Sequence, residues 1–133
     1  MPVEDVRYIK EEDMKELLLY KRITSITEDK ITLEDGLEVA IELTEADCCA
    51  GGGGYFKFND VPLDAVITKV DVGEQRLVEG HHEERLTENT ITIYHNQNDV
   101  IEANANTDAG NGGYYYSVTS LRIGDVYFPY VEA

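Results

Sequence analysis

Two tracts of this chain hold the residues with the clearest chemical potential. One is Asp47-Cys48-Cys49-Ala50 running into Gly51, Gly52, Gly53, Gly54 and Tyr55, and the other is Asn111-Gly112-Gly113-Tyr114-Tyr115-Tyr116-Ser117. A glycine run inside a compact domain is costly in backbone entropy. Bare backbone N–H groups can cradle an anion in a concave nest. Tyrosines beside them can stack on a nucleobase, and Arg85 or Arg122 can grip a phosphate bidentately. The expected ligand-binding set is therefore Gly51, Gly52, Gly53, Gly54, Tyr55, Arg85, Gly112, Gly113, Tyr115, Tyr116 and Arg122. The glycine run matches neither the Walker loop nor the dinucleotide fingerprint. The competing readings are a flexible hairpin or bulge for the glycines, and core or subunit-interface packing for the tyrosines.

Cys48 and Cys49 could bind a soft metal as thiolates. Zinc wants four ligands, usually with two or more residues between paired cysteines, and His81, His82 and His95 supply no such spacing. The favoured reading is structural: one cysteine a small buried hydrophobe, the other capping a strand end. Asn104, Asn106 and Asp108 alternate like the start of a calcium loop, but the glycine comes one place late and Tyr115 occupies the position of the closing glutamate. They read as a polar loop. No nucleophile–base–orienter set is visible, so no catalytic residue, metal or cofactor is assigned.

The elements that must position these residues follow from periodicity. Residues 11–19 read as a short helix, acidic in its first turn, with Met14, Leu17 and Leu18 on one face. The period then becomes two. Ile23, Ser25 and Thr27 alternate with Thr24 and Ile26, Ile31 and Leu33 share a face, and Glu34-Asp35-Gly36 is a hairpin turn. Leu37, Val39, Ile41 and Leu43 form the buried side of a strand whose other side is wet and acidic. Strands are expected at residues 55–58, 66–72, 90–94, 100–103, 114–123 and 126–131, with residues 73–89 as a loop. The sum is a single α+β, β-rich domain over residues 1–133, mostly antiparallel, with one or two short helices.

Twenty-seven acids against eleven bases give a net charge of −16, spread along the whole chain. That argues against direct nucleic-acid binding, which needs clustered Lys and Arg. No apolar run is long enough for a membrane span, and the acidic N-terminus is unlike a secretory signal. The two neighbouring cysteines suit a reducing, cytoplasmic setting.

The order of these features resembles a small domain of unknown function found mainly in bacteriophages of actinobacteria and other bacteria. The likeness covers roughly residues 14–120 and rests on the Glu34-Asp35-Gly36 hairpin, a strand running into Asp47-Cys48-Cys49, the strand at 66–72 and the close at 111–117. This chain adds a glycine and a tyrosine to that close, and a glycine run after the cysteines. The resemblance implies a phage accessory protein of host cytoplasm and carries no established activity. Two functions stand out beside the less favoured enzyme. The leading one is sequestration of a small nucleotide-like signal used in host defence. The alternative is an acidic nucleic-acid mimic that blocks a host DNA-binding protein, with Glu34, Glu38 and Glu42 in its acidic row. An exposed edge at 126–131 would favour a homo-oligomer, a dimer or larger.

Overall fold

A computed structural model describes residues 6–47, 50–59, 65–79, 84–95, 99–111 and 116–133. Helix α1 (Glu11–Leu18) has no side-chain N-cap, but Glu11, Glu12 and Asp13 sit in its first turn, where carboxylates compensate the helix dipole. It ends as the backbone leaves helical geometry at Leu19 and turns left-handed at Tyr20 (φ 66°). Met14 and Leu18 are fully buried and Leu17 packs beside them, the face that the spacing predicted.

Among the described residues ten strands follow: β1 (Arg22–Ile26), β2 (Lys30–Leu33), β3 (Glu38–Ala46), β4 (Gly51–Phe58), β5 (Ala65–Val72), β6 (Arg76–Glu79), β7 (Glu84–His95), β8 (Asp99–Asn111), β9 (Ser117–Ile123) and β10 (Val126–Glu132). They form one sheet in the order β10-β9-β3-β2-β1-β5-β7-β8-β4, with β6 branching from β7. Every strand pairing is antiparallel. The domain is β-rich as expected, with one short helix among the described residues.

The sheet folds back on itself, so β7 and β8 face β9 and β10 across the core. Ile91, Ile93, Ile101 and Ala103 meet Leu121, Ile123 and Val131 in one apolar cluster. Side chains also bridge the layers. The Tyr130 hydroxyl donates to the Ala103 carbonyl at 3.0 Å, Asn89 Nδ2 to the Tyr130 carbonyl at 2.8 Å, and Thr119 Oγ1 to the Asn106 carbonyl at 3.0 Å.

Four local expectations need correction. A bulge between Ile23 and Ser25 breaks the alternation of β1, so Ile23 and Ile26 both reach the core while Ser25 is exposed. In β3, Val39 is fully buried, whereas Ile41 and Leu43 are half-buried, and a second irregularity follows between Leu43 and Glu45. The expected loop over 73–89 contains β6 and the start of β7, and the expected polar loop at 104–108 is the middle of β8.

Candidate functional site

The glycine run is a strand. Gly51 to Gly54 pair in unbroken register with Asp108, Thr107, Asn106 and Ala105 of β8. None of the four has positive φ, and the positive-φ glycines of the described residues are Gly36 and Gly124. An anion nest requires alternation between right- and left-handed conformations, so Gly51–Gly54 do not form one. Two of them serve packing. A Cβ on Gly52 would fall 2.5 Å from Thr119 Oγ1 and 2.6 Å from the Asn106 carbonyl, and one on Gly54 would fall 2.3 Å from the Asn104 carbonyl and 2.8 Å from Ile41 Cγ2. Only glycine lets β4 approach β3 and β9 this closely.

Gly51 and Gly53 have no such constraint. The nearest atom to a Cβ on Gly51 is Asp108 Oδ2 at 3.8 Å, and a Cβ on Gly53 would meet open space. Phe56 is buried and Tyr55 is 51% exposed, so odd-numbered positions of β4 face outward. On that outer face the register lays Tyr55 beside Asn104 and Thr90, Lys57 beside Glu102, and Gly53 beside Asn106, Glu88 and Arg76. The result is a cavity of about 320 Å³ lined by Tyr55, Lys57, Arg76, Glu88, Asn104 and Asn106, among others.

The polar groups of this cavity are partly fixed. Thr90 Oγ1 donates to Asn104 Oδ1 at 2.8 Å, which orients the amide so that its NH₂ group remains for a ligand. Lys57 lies 3.9 Å from Glu102 and Arg76 3.7 Å from Glu88, long and exposed ion pairs. Such pairs contribute little to stability and leave the cations able to turn to another anion. The site thus joins an aromatic face, amide donors and acceptors, and two cations balanced by two carboxylates.

The other expected site residues separate. Gly112, Gly113 and Tyr115 lie outside the described residues, as do Cys48 and Cys49. Arg85 pairs through its backbone with Glu79, and its side chain is likewise outside them. The ends of the two glycine-aromatic tracts do meet. β3 pairs with β9, Asp47 N–H donates to the Tyr116 carbonyl at 2.8 Å, and Tyr116 N–H donates to Asp47 Oδ2 at 2.9 Å. Tyr116 is exposed in acidic company: desolvation, then Glu132, Glu45 and Asp47, push its hydroxyl pKa upward. That setting repels a phosphate.

Arg122 stands at the far end of β9. It contacts Glu42 at 3.3 Å and Glu38 at 3.8 Å, and donates to the Gly124 carbonyl at 2.9 Å. Six residues of extended strand, on the order of 20 Å, separate it from Tyr116, so Tyr116 and Arg122 share no cleft. Asn104, Asn106, Lys57 and Arg76 were missed as partners of Tyr55. Their signal was the period-two alternation of polar residues with Ala103, Ala105 and Thr107, which marks a strand with one wet face. Among the described residues, no group of three or more His, Cys, Asp or Glu is placed to hold a metal ion. Nor is any helix among them long and apolar enough to cross a membrane.

The family model of a domain of unknown function, DUF7448, matches residues 16–122. This chain belongs to the DUF7448 family. The DUF7448 match runs from α1 into β9, so it contains β4, β7 and β8 and every residue named above for the Tyr55 cavity. No curated protein and no solved structure matches the chain.

Proposed function

We propose that this DUF7448 domain is a binding module that retains a small nucleotide-derived molecule on the outer face of β4, β8 and β7. The observation that carries this reading is the cavity on this face, in which the exposed ring of Tyr55 stands beside Lys57, Arg76 and the amides of Asn104 and Asn106. A planar base would stack on Tyr55, the amides of Asn104 and Asn106 would read its edge, and Lys57 and Arg76 would hold phosphate oxygens. The cavity's two cations offset its two carboxylates, which supports an anionic ligand here despite the chain's net charge of −16. In a phage-encoded accessory protein, such retention would withdraw a host signal from its receptor.

The acidic-mimic alternative is less well supported. Glu38 lies 3.1 Å from Lys30 and 3.8 Å from Arg122, Glu42 lies 3.3 Å from Arg122, and Glu34 lies 3.8 Å from Arg22. A row interleaved with cations is a poor copy of bare phosphates. Calorimetry against linear and cyclic nucleotides tests the proposal. Tyr55→Ala is expected to weaken binding at least about ten-fold, as loss of one stacking platform should, while Tyr55→Phe retains it. Failure of every nucleotide to bind, together with salt-sensitive capture of a DNA-binding protein, would transfer support to the mimic.

A further inference from the structure

Strand β4 ends the sheet, pairing with β8 along one edge. Its other edge can be read from Phe56, whose N–H donates to the Glu28 carbonyl at 2.9 Å and so points away from β8. The β4–β8 register has no shift, and alternate residues of a strand direct their backbone groups to the same side. The N–H and C=O of Gly52 and Gly54 therefore point the same way as those of Phe56. Among the described residues, neither glycine has a backbone partner on that side, and both are exposed. Proteins ordinarily guard such an edge with charge, proline or a bulge. Here there is no side chain at all.

We propose that the Gly52–Gly54 edge of β4 takes an extended, basic segment of a partner polypeptide as an added strand. Only an extended backbone repeats donor and acceptor at the spacing this edge offers. The absent side chains let that backbone approach closely. Charge sets the partner's character. Exposed Glu28 and Asp29 stand by the Phe56 end of the edge, exposed Asp47 precedes its Gly51 end, and the chain carries −16 overall. A second copy would bring the same acids to the seam, whereas a Lys- or Arg-bearing segment complements them.

The test uses the full chain and a fluorescein-labelled eight-residue peptide of alternating Lys and Val. The expected result is saturable binding that weakens with salt. In ¹⁵N-resolved hydrogen exchange, the Gly52 and Gly54 amides should slow at least ten-fold on binding, with Gly51 and Gly53 unchanged. A fully N-methylated peptide keeps every charge and cannot donate a ladder bond, so its binding should be lost. Equal binding of the N-methylated peptide, or of a Glu/Val peptide, would overturn the proposal. So would concentration-dependent protection of Gly52 and Gly54 without peptide, which would make a second copy the occupant. Tyr55→Ala should leave peptide binding unchanged, which separates this edge from the proposed nucleotide site.

Discussion

The two ends of this sheet handle the same problem in opposite ways. At β10, outward backbone groups of Tyr127, Pro129, Tyr130 and Glu132 are covered or removed. Tyr127 donates to the Arg7 carbonyl and accepts from Ile9 N–H, both at 2.9 Å, in a parallel bridge formed by the N-terminal segment. Pro129 has no N–H to offer, and a register shift follows it. The Tyr130 carbonyl takes Asn89, and Glu132 N–H donates to Gln75 Oε1. The edge expected to be exposed at 126–131 is thus covered, and it no longer supports pairing with a second copy. At β4 the Glu28 carbonyl takes the Phe56 N–H, but the outward backbone groups of Gly52 and Gly54 have no guard among the described residues. The contrast indicates that bareness is tolerated where close packing against β3 and β9 demands glycine, and that this leaves a backbone available for recognition.

The largest effect should come from breaking the packing half of that contrast. Gly54→Val would drive a side chain into the Asn104 carbonyl, 2.3 Å from its Cβ, and into Ile41. A loss of more than about 3 kcal/mol is expected in urea unfolding, since backbone cannot yield as a side-chain tip can. Gly53→Ala faces open space and should be neutral, or stabilising by about 0.4–1 kcal/mol through the unfolded state. Equal losses at 53 and 54 would mean that the glycines are not divided by face.

Next in size is Tyr130→Phe, which tests the guarded end. Its hydroxyl crosses the core to the Ala103 carbonyl, and burial raises its pKa far above the usual tyrosine value. Removing that donor leaves a buried carbonyl without it, at a cost of about 1–3 kcal/mol. Unchanged stability would mean that the β10–β8 bridge is dispensable.

His95 gives a smaller, pH-dependent effect midway between the two ends. It is 1% exposed, its Nδ1 has no hydrogen-bond partner among the described residues, and burial lowers its pKa, with Asp99 opposing. A base whose folded pKa lies below its unfolded one costs stability as pH falls. The folded state should therefore weaken below about pH 6.5, by no more than about 1.4 kcal/mol per pH unit. His95→Leu should flatten that slope in urea titrations between pH 8 and 5. A slope that persists would assign it to another group.

Where the sequence was legible, one face was apolar and the other polar. Met14 and Leu18 fix α1, Ile31 and Leu33 fix β2, and the Glu34–Gly36 turn closes as expected with Gly36 at φ 82°. β8 was legible only at 100–103, because its inward positions beyond there include Ala105 and Ala109, too small to mark a buried face, while the start of β7 at 84–89 is mostly polar. The site divided along the same line. Tyr55 was legible as an aromatic beside glycines, but its partners Asn104, Asn106, Arg76 and Glu88 sit on strand segments that read as loops. Gly51–Gly54 drew attention for the right reason, bare backbone, yet a glycine run carries no period to reveal whether it is a loop or a strand.

The smallest effect concerns the latch that covers β10. The Tyr8 hydroxyl donates to Glu45 and lies 3.2 Å from Thr44 Oγ1, holding the segment whose backbone bridges Tyr127. Desolvation and the bond to Glu45 raise its pKa to about 12. An acid with a raised folded pKa contributes stability below its unfolded value, near pH 10, and loses it between pH 10 and 12. Tyr8→Phe should cost about 0.5–1.5 kcal/mol at neutral pH, the net worth of one hydrogen bond. The difference between the two proteins should shrink through that alkaline window, which isolates Tyr8 from the other tyrosines. In hydrogen exchange, the Tyr127 and Ile9 amides should open faster in the variant while Gly52 and Gly54 do not change. Acceleration at both ends would mean that the edges are coupled, and that the N-terminal latch guards the whole sheet rather than β10 alone.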